Sequence, residues 1–284
     1  MSLVRMSIRG ALATPPPVPD HLLPGLKRAA VGCLIAPGGT GKSAFALQTG
    51  VELALGLPVC GGLFPAPPQP RRTAFITAED DEEEVARRLH AIVEHLHASG
   101  ATDSIGLSRD QIAGMLEERL SIFPCPGKSI ALVRQGKWTK FCRDLRDLLH
   151  GHDLAFLDTV SRLHDGDENS TNAVALLIEV VQWVAVQANV ALVMLHHVGK
   201  LAEREKEADS SIAGRGAIVF RDNVRWLANL FPHATQAGAA DAYLRFQITK
   251  ANQIPKQPGK FLERLPGGVL QLRTTLEHRS KARA

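Results

Sequence analysis

Val31-Gly32-Cys33-Leu34-Ile35-Ala36-Pro37-Gly38-Gly39-Thr40-Gly41-Lys42-Ser43 carries more information about the architecture than any other segment of the chain. Val31 to Ile35 is a β-branched and apolar run, the composition of a short buried strand. A glycine-rich turn follows, then Gly41-Lys42-Ser43, then a helical pattern in Ala44-Phe45-Ala46-Leu47-Gln48. Strand, loop and helix in that order are the context a P-loop requires. Gly38, Gly39 and Gly41 let the backbone curl until its N–H groups converge on a polyphosphate, and the helix N-terminus adds positive potential. Pro37, Gly38, Gly39, Thr40 and Gly41 would thus form the cradle for ATP. Lys42 would reach the β- and γ-phosphates, and the Ser43 hydroxyl would ligate Mg²⁺. One position departs from G-x-x-x-x-G-K-S: its first glycine is Ala36. Pro37 and two further glycines still shape the turn, so the departure reads as a tolerated variation.

Further along, three apolar runs end in polar residues of the kinds such a site needs. Arg72 to Thr77 reads as a buried strand ending at Ala78-Glu79-Asp80, which places acids at the edge where open α/β sheets bind ligands. Asp153-Leu154-Ala155-Phe156-Leu157-Asp158 is a second such strand. Its terminal carboxylate suits a Walker B role, holding Mg²⁺ through water and orienting Ser43. Val190 to Leu195 is a third, running into His196-His197 beside the γ-phosphate edge.

Around these strands the pattern predicts helices over 44–55, ending near Gly56 and Pro58, over 81–97, 138–150 and 171–188. His90, His95 and His97 lie off the apolar stripe of the second helix and read as surface positions, not a metal cluster. Pro124 to Gln135 reads as a loop carrying Lys128 and Arg134. Residues 161–170 and 199–213 also read as loops, the latter with Lys200, Arg204 and Lys206 among acids. Strands follow from Trp226 to about Leu230 and over Tyr243–Thr249, with a terminal hairpin from Phe261–Leu265 and Val269–Arg273.

Five prolines between Pro15 and Pro24 predict that residues 1–27 form an extended arm, lying across a neighbouring subunit or packed on its own domain. Residues 28–275 form one core, and 276–284 a basic disordered tail. The whole suits one large α/β domain: 284 residues, 45% hydrophobic, 22% charged and a formal charge of +4. That charge permits nucleic-acid binding without demanding it. The four cysteines have no paired or metal spacing and read as reduced thiols. No apolar run approaches a membrane span and no signal-peptide core is evident, so a cytoplasmic protein that makes no membrane contact is expected.

Taken together these segments resemble the RecA-like hexameric P-loop ATPases, and within them the RepA-type replicative helicases of broad-host-range plasmids. The resemblance is carried by the arm, by Ala36 to Ser43 and by Ala78-Glu79-Asp80, Arg88-Leu89-His90-Ala91 and Leu157-Asp158-Thr159. It continues through Leu195-His196-His197, Arg215-Gly216, Asp222 to Trp226, Lys250-Ala251-Asn252 and Gly267-Gly268-Val269-Leu270. It implies a mostly parallel central sheet flanked by helices with a C-terminal β-hairpin, and a ring of six subunits with ATP and Mg²⁺ at each interface. Glu79 would be the general base, Asp158 the Mg²⁺ residue, His197 (or His196) the γ-phosphate sensor and Arg225 the arginine finger of a neighbouring subunit. Lys250 and Arg215 follow as interface or phosphate contacts. Single-stranded DNA would thread the ring, gripped near residues 161–170 and 199–213, in an ATP-dependent helicase for replication of a plasmid or mobile element. Separate initiator and primase proteins would open the origin and prime. The alternative is a regulatory or accessory ATPase that binds nucleotide and a protein partner without unwinding.

Overall fold

The computed structural model describes residues 4–167, 170–198, 214–233 and 242–273. The arm is the first departure from expectation. A short helix, α1 (Ile8–Ala13), forms where no proline intervenes, capped by the Ser7 hydroxyl, which accepts from the Gly10 N–H at 3.1 Å. Residues 4–20 are exposed throughout, so this part of the arm does not pack on its own domain. From Asp20 onward it does. Arg71, buried, donates to both Asp20 oxygens at 2.9 and 2.5 Å. Strands β1 (His21–Leu23) and β2 (Leu26–Lys27) then pair as a tight hairpin that buries Leu22, Leu23 and Leu26. An extended arm through residue 27 is therefore corrected: the apolar leucines outweigh the neighbouring prolines.

Strand β3 (Val31–Pro37) leads through the glycine turn into α2 (Lys42–Leu55), which Gly56 ends in the left-handed region at φ 74. Then come β4 (Thr73–Thr77), α3 (Glu82–Ala98), α4 (Arg109–Arg119) and β5 (Leu120–Pro124). The stretch read as loop and early helix instead makes a small hairpin, β6 (Val133–Arg134) with β7 (Lys137–Trp138), so α5 starts only at Phe141 and runs to Leu148. Gln135 and Gly136 both take positive φ, 48 and 70, which makes so short a turn feasible. Strand β8 (Leu154–Asp158), helix α6 (Thr171–Ala188) and strand β9 (Ala191–Val198) match expectation. A helix not foreseen, α7 (Gly214–Asn223), precedes β10 (Trp226–Pro232). Its two glycines disguise it in sequence, and burial of Val219 and Phe220 stabilises it. Strand β11 (Tyr243–Ala251) and the hairpin of β12 (Lys260–Arg264) and β13 (Leu270–Arg273) complete the described chain.

Nine strands form one sheet in the order β13-β12-β11-β10-β3-β9-β8-β4-β5. From β10 to β5 every pairing is parallel, and β11 to β13 extend the sheet antiparallel. Alternation along the strands builds two cores. Leu34, Phe75, Phe156, Val193 and Leu195 face one cluster with residues of α2, α3 and α4, including Phe45, Ile92 and Leu116. Cys33, Ile76, Leu157 and Met194 face the other, with Leu145, Val181 and Phe220 of α5, α6 and α7. Among the described helices α6 has the length and composition of a membrane span, 18 residues at mean hydropathy 1.4. That corrects the reading that no apolar run approaches such a length. The apolar character of α6 serves the second core, where Val174, Leu177, Val181 and Val184 are buried.

Candidate active site

The C-terminal ends of β3, β9, β8 and β4 share one edge, because Ala36 pairs with His197, Leu195 with Asp158 and Asp158 with Thr77. Past that edge the chain turns through Gly38 to Gly41. Gly39 and Gly41 sit at φ 73 and 99, a region that a side chain would strain. Gly41 caps α2 without a side chain, and its carbonyl accepts from the Phe45 N–H at 2.9 Å. The helix N-terminus is thus left facing the edge.

Lys42 opens α2 with only 3% of its surface exposed, and its Nζ lies 3.0 Å from both ring nitrogens of His197. Burial lowers the Lys42 pKa, while Asp158, Glu79 and Asp80 oppose the shift. His197 Nε2 in turn meets Glu79 Oε2 at 3.4 Å. These three side chains therefore form a relay across three elements: helix start, β9 and the end of β4. The adjacent His196 points to the opposite face of the sheet. Its ring packs on Phe220 with centroids 4.7 Å apart, and burial pushes its pKa down to about 4. Period-two alternation thus brings His197, and not His196, to Lys42.

Behind Glu79 the chain is held firmly. Thr77 Oγ1 accepts from the N–H groups of Glu79 and Asp80, both at 3.3 Å, and Ala78 N–H donates to the Asp158 carbonyl at 2.8 Å. Arg88 of α3 grips Asp80 with two hydrogen bonds, 2.6 and 3.1 Å. That pairing occupies Asp80 and leaves Glu79 as the carboxylate presented to the cradle.

Asp158 is fully buried, and neither carboxylate oxygen has a well-formed hydrogen bond. Burial raises its pKa from 3.8 to about 6; the neighbouring Ser43 hydroxyl and Lys42 lower it, while Glu79 and Asp80 raise it. A buried carboxylate left without full hydrogen bonding fits the hydration shell of a divalent cation. Among the described residues no group of three or more His, Cys, Asp or Glu gathers at one point. Ser43 and Asp158 together fit Mg²⁺ arriving with a nucleotide, an ion that keeps water and phosphate among its ligands.

Arg264 was not singled out by the sequence. From β12 its guanidinium donates to the carbonyls of Gly39 at 3.2 Å and Thr40 at 2.5 Å. Nothing local marks an arginine on a hairpin strand; only the sheet topology carries it to the turn. Those bonds tie β12 to the backbone of the glycine turn just before Lys42.

Arg225 and Lys250 lie elsewhere. Arg225 is exposed at the start of β10, its N–H bonded to the Val31 carbonyl at 3.0 Å. Val31 and Pro37 bound β3, so Arg225 is about 20 Å from the turn along the strand axis. Lys250 pairs in register with Leu227 and donates to the Arg221 and Asp222 carbonyls. Burial lowers its pKa; Asp222 opposes that, and Arg225 and Arg221 add to it. Lys250 thus sits in the patch around Arg225, not in its own chain's cradle. The backbone of Arg215 lies in α7. The loop 199–213 and the tail 276–284 lie outside the described residues, and 161–170 is described except for 168–169.

A family model described as an AAA domain matches residues 3–203. Among solved structures, one described as an ATPase domain superposes with TM-score 0.61 at 15% identity, covering 86% of this chain and 85% of that one. A DnaB-like replicative helicase, described with its interactions with primase, superposes with TM-score 0.60 at 16% identity. That match covers 87% of this chain and 58% of the helicase. The fold, a large mostly parallel sheet flanked by helices, is the one these two structures share.

Proposed function

This chain belongs to the AAA domain family, and from that premise we propose that it is an ATP-driven translocase on single-stranded DNA. We read it as a hexameric helicase of the RepA type, serving replication of a plasmid or mobile element in the cytoplasm, with initiator and primase supplied by other proteins. The observation that carries the reading is the separation of two sets of groups. Lys42, Glu79 and His197 lie together at one edge, while Arg225 and Lys250 stand at the opposite edge of the same sheet. A cation so far from its own cradle can assist hydrolysis only in another copy's site. The exposed apolar residues of the arm, Val4, Met6, Ile8, Leu12 and Val18, support contact between copies as well.

In this reading the loop N–H groups and Lys42 bind the phosphates. Ser43 and Asp158 would hold Mg²⁺, which would supply charge neutralisation for the phosphates. Glu79 orients the attacking water and takes its proton. His197 bridges Lys42 and Glu79, so a γ-phosphate held by Lys42 would compete with His197 for the same ammonium group. That makes it suited to report nucleotide state to the DNA loops. Arg225 from a neighbour stabilises charge on the transferring phosphoryl group, and Lys250 contributes beside it.

The test is ATP hydrolysis by the full chain with and without single-stranded DNA over a salt series. Stimulation that fades as salt rises is the expected outcome. Hydrolysis indifferent to DNA at every salt concentration overturns the translocase and leaves the regulatory ATPase that acts on a protein partner.

A further inference from the structure

Outside the arm, the exposed large apolar residues among the described ones are Trp138, Leu148 and Val186. Trp138 is set apart by how it is held. It is the last residue of β7, paired in register with Val133, and 41% of its surface is exposed. The hairpin that carries it is bonded on both sides. The N–H groups of Leu132 and Val133 donate to the Leu163 carbonyl at 2.7 and 3.2 Å. The Thr139 hydroxyl and N–H donate to the carbonyls of Ala131 and Leu132 at 2.6 and 2.9 Å. Against the indole lies Trp183 of α6, edge to face, with centroids 5.4 Å apart and planes at 64°. The Arg146 guanidinium sits over the Trp183 ring, 5.8 Å from its centroid. A pair at that angle covers at most one face of either ring, so Trp138 is fixed in place with indole surface open to solvent.

The surroundings of that ring are basic. Between Lys128 and Asp147 six lysines and arginines stand against two aspartates, a surplus equal to the formal charge of the whole chain, +4. Lys137, Lys140 and Arg143 are exposed, and none of the three is ion-paired among the described residues. Asp147 is taken up by Arg146, which donates to its two oxygens at 2.8 and 3.0 Å. Two kinds of occupant would cover an exposed indole. The arm of a second copy offers apolar side chains, but residues 4–19 carry Arg5 and Arg9 and no acid, so it would meet like charge. A nucleic-acid strand offers a flat base to the ring and phosphates to the cations at once. Charge decides for the strand.

We propose that Trp138 is a base-stacking platform for single-stranded DNA, with Lys137, Lys140 and Arg143 neutralising the phosphates on either side of the stacked base. The proposal rests on the translocase reading for its ligand and adds to it a contact made to a base. Stacking needs only a π-face, so the platform accepts any base, as movement along an arbitrary strand requires.

The test is binding of a labelled oligo-dT by the full chain, with a non-hydrolysable ATP analogue present, followed by anisotropy over a salt series. Trp138→Leu is expected to weaken binding about tenfold. Its log–log salt slope should be unchanged, because stacking releases no counterions, and Trp138→Phe should restore most of the affinity. Lys140→Ala/Arg143→Ala should instead flatten the slope by about 0.7 for each phosphate contact removed. ATP hydrolysis without DNA should be the same in every variant. Equal affinity of Trp138→Leu and the unaltered chain overturns the platform and leaves the translocase reading standing. A Trp138→Phe chain that binds no better than Trp138→Leu, or an unchanged slope in the double variant, overturns it as well. Sedimentation covers the other occupant: a Trp138→Leu chain that has lost self-association gives the ring to a second copy's arm and overturns the platform. If the unaltered chain binds no oligo-dT at any salt concentration, the platform and the translocase reading fall together.

Discussion

At the Pro37 end of β3, charged groups are locked into one another: Lys42 on His197, His197 on Glu79, Asp80 in the grip of Arg88, and Arg264 on the loop carbonyls. At the Val31 end, Arg225 stands exposed, with Lys250 beside it capping the last carbonyls of α7. The first end is organised inward, with a buried cation, Lys42, and a buried acid, Asp158, whose charges are tuned by desolvation. The second presents charge outward, where only another molecule can use it. The contrast separates a site that is preorganised within one copy from a group that, on the proposed reading, acts across copies.

Lys42→Ala should disturb the inward end most, and phosphate release by the purified chain should vanish. Persisting hydrolysis would remove the turn from the chemistry. Arg225→Ala attacks the other end. Turnover should fall about 10³-fold or more while nucleotide affinity, followed by fluorescent ADP, stays constant. Mixing these two variants should restore part of the activity, and no recovery would mean that Arg225 acts within its own copy or not at all.

Glu79→Gln probes the inward end further. ATP should still bind while turnover drops by about 10²- to 10⁴-fold; an unaltered rate would exclude Glu79 as the base. Asp158 makes a prediction in pH. Its carboxyl ionises near 6 in the folded chain against 3.8 in the unfolded chain, so its contribution to stability is full below about 3.8 and is lost as pH rises through 6. Two units correspond to at most about 3 kcal/mol. Asp158→Asn should therefore raise the melting temperature of the nucleotide-free chain above pH 6, most clearly as a difference from the parent, while removing Mg²⁺-dependent nucleotide binding. An equal pH profile for the two proteins would mean that Asp158 is not held unpaired. The smallest effect belongs to Arg264→Gln, where loosening the loop carbonyls should weaken nucleotide binding a few-fold, and no change would make that contact incidental.

Much of the inward end was legible because each part has a local signature. The turn needs glycines at positive φ, and a strand ending in acid needs only an apolar run and a carboxylate. The hairpin of β12 and β13 was equally legible, its turn written as Pro266-Gly267-Gly268. Helix α7 was not, since its glycines argue against a helix and only burial of Phe220 overrides them. The small β6–β7 hairpin was likewise hidden, because its strands are too short to alternate.

The order of residues alone therefore specifies the cradle: Gly38 to Ser43, Glu79 and Asp158, each fixed by spacing within a few residues of a strand end. Which neighbours those groups meet is settled by the packed fold. Strand register sends His197 toward Lys42 and His196 toward Phe220, and sheet order brings Arg264 from the far end of the chain onto the turn. It also carries Arg225 and Lys250 to the opposite edge. Local pattern fixes conformation over a handful of residues, whereas contacts between distant residues depend on how whole strands pair and which face of the sheet each side chain takes.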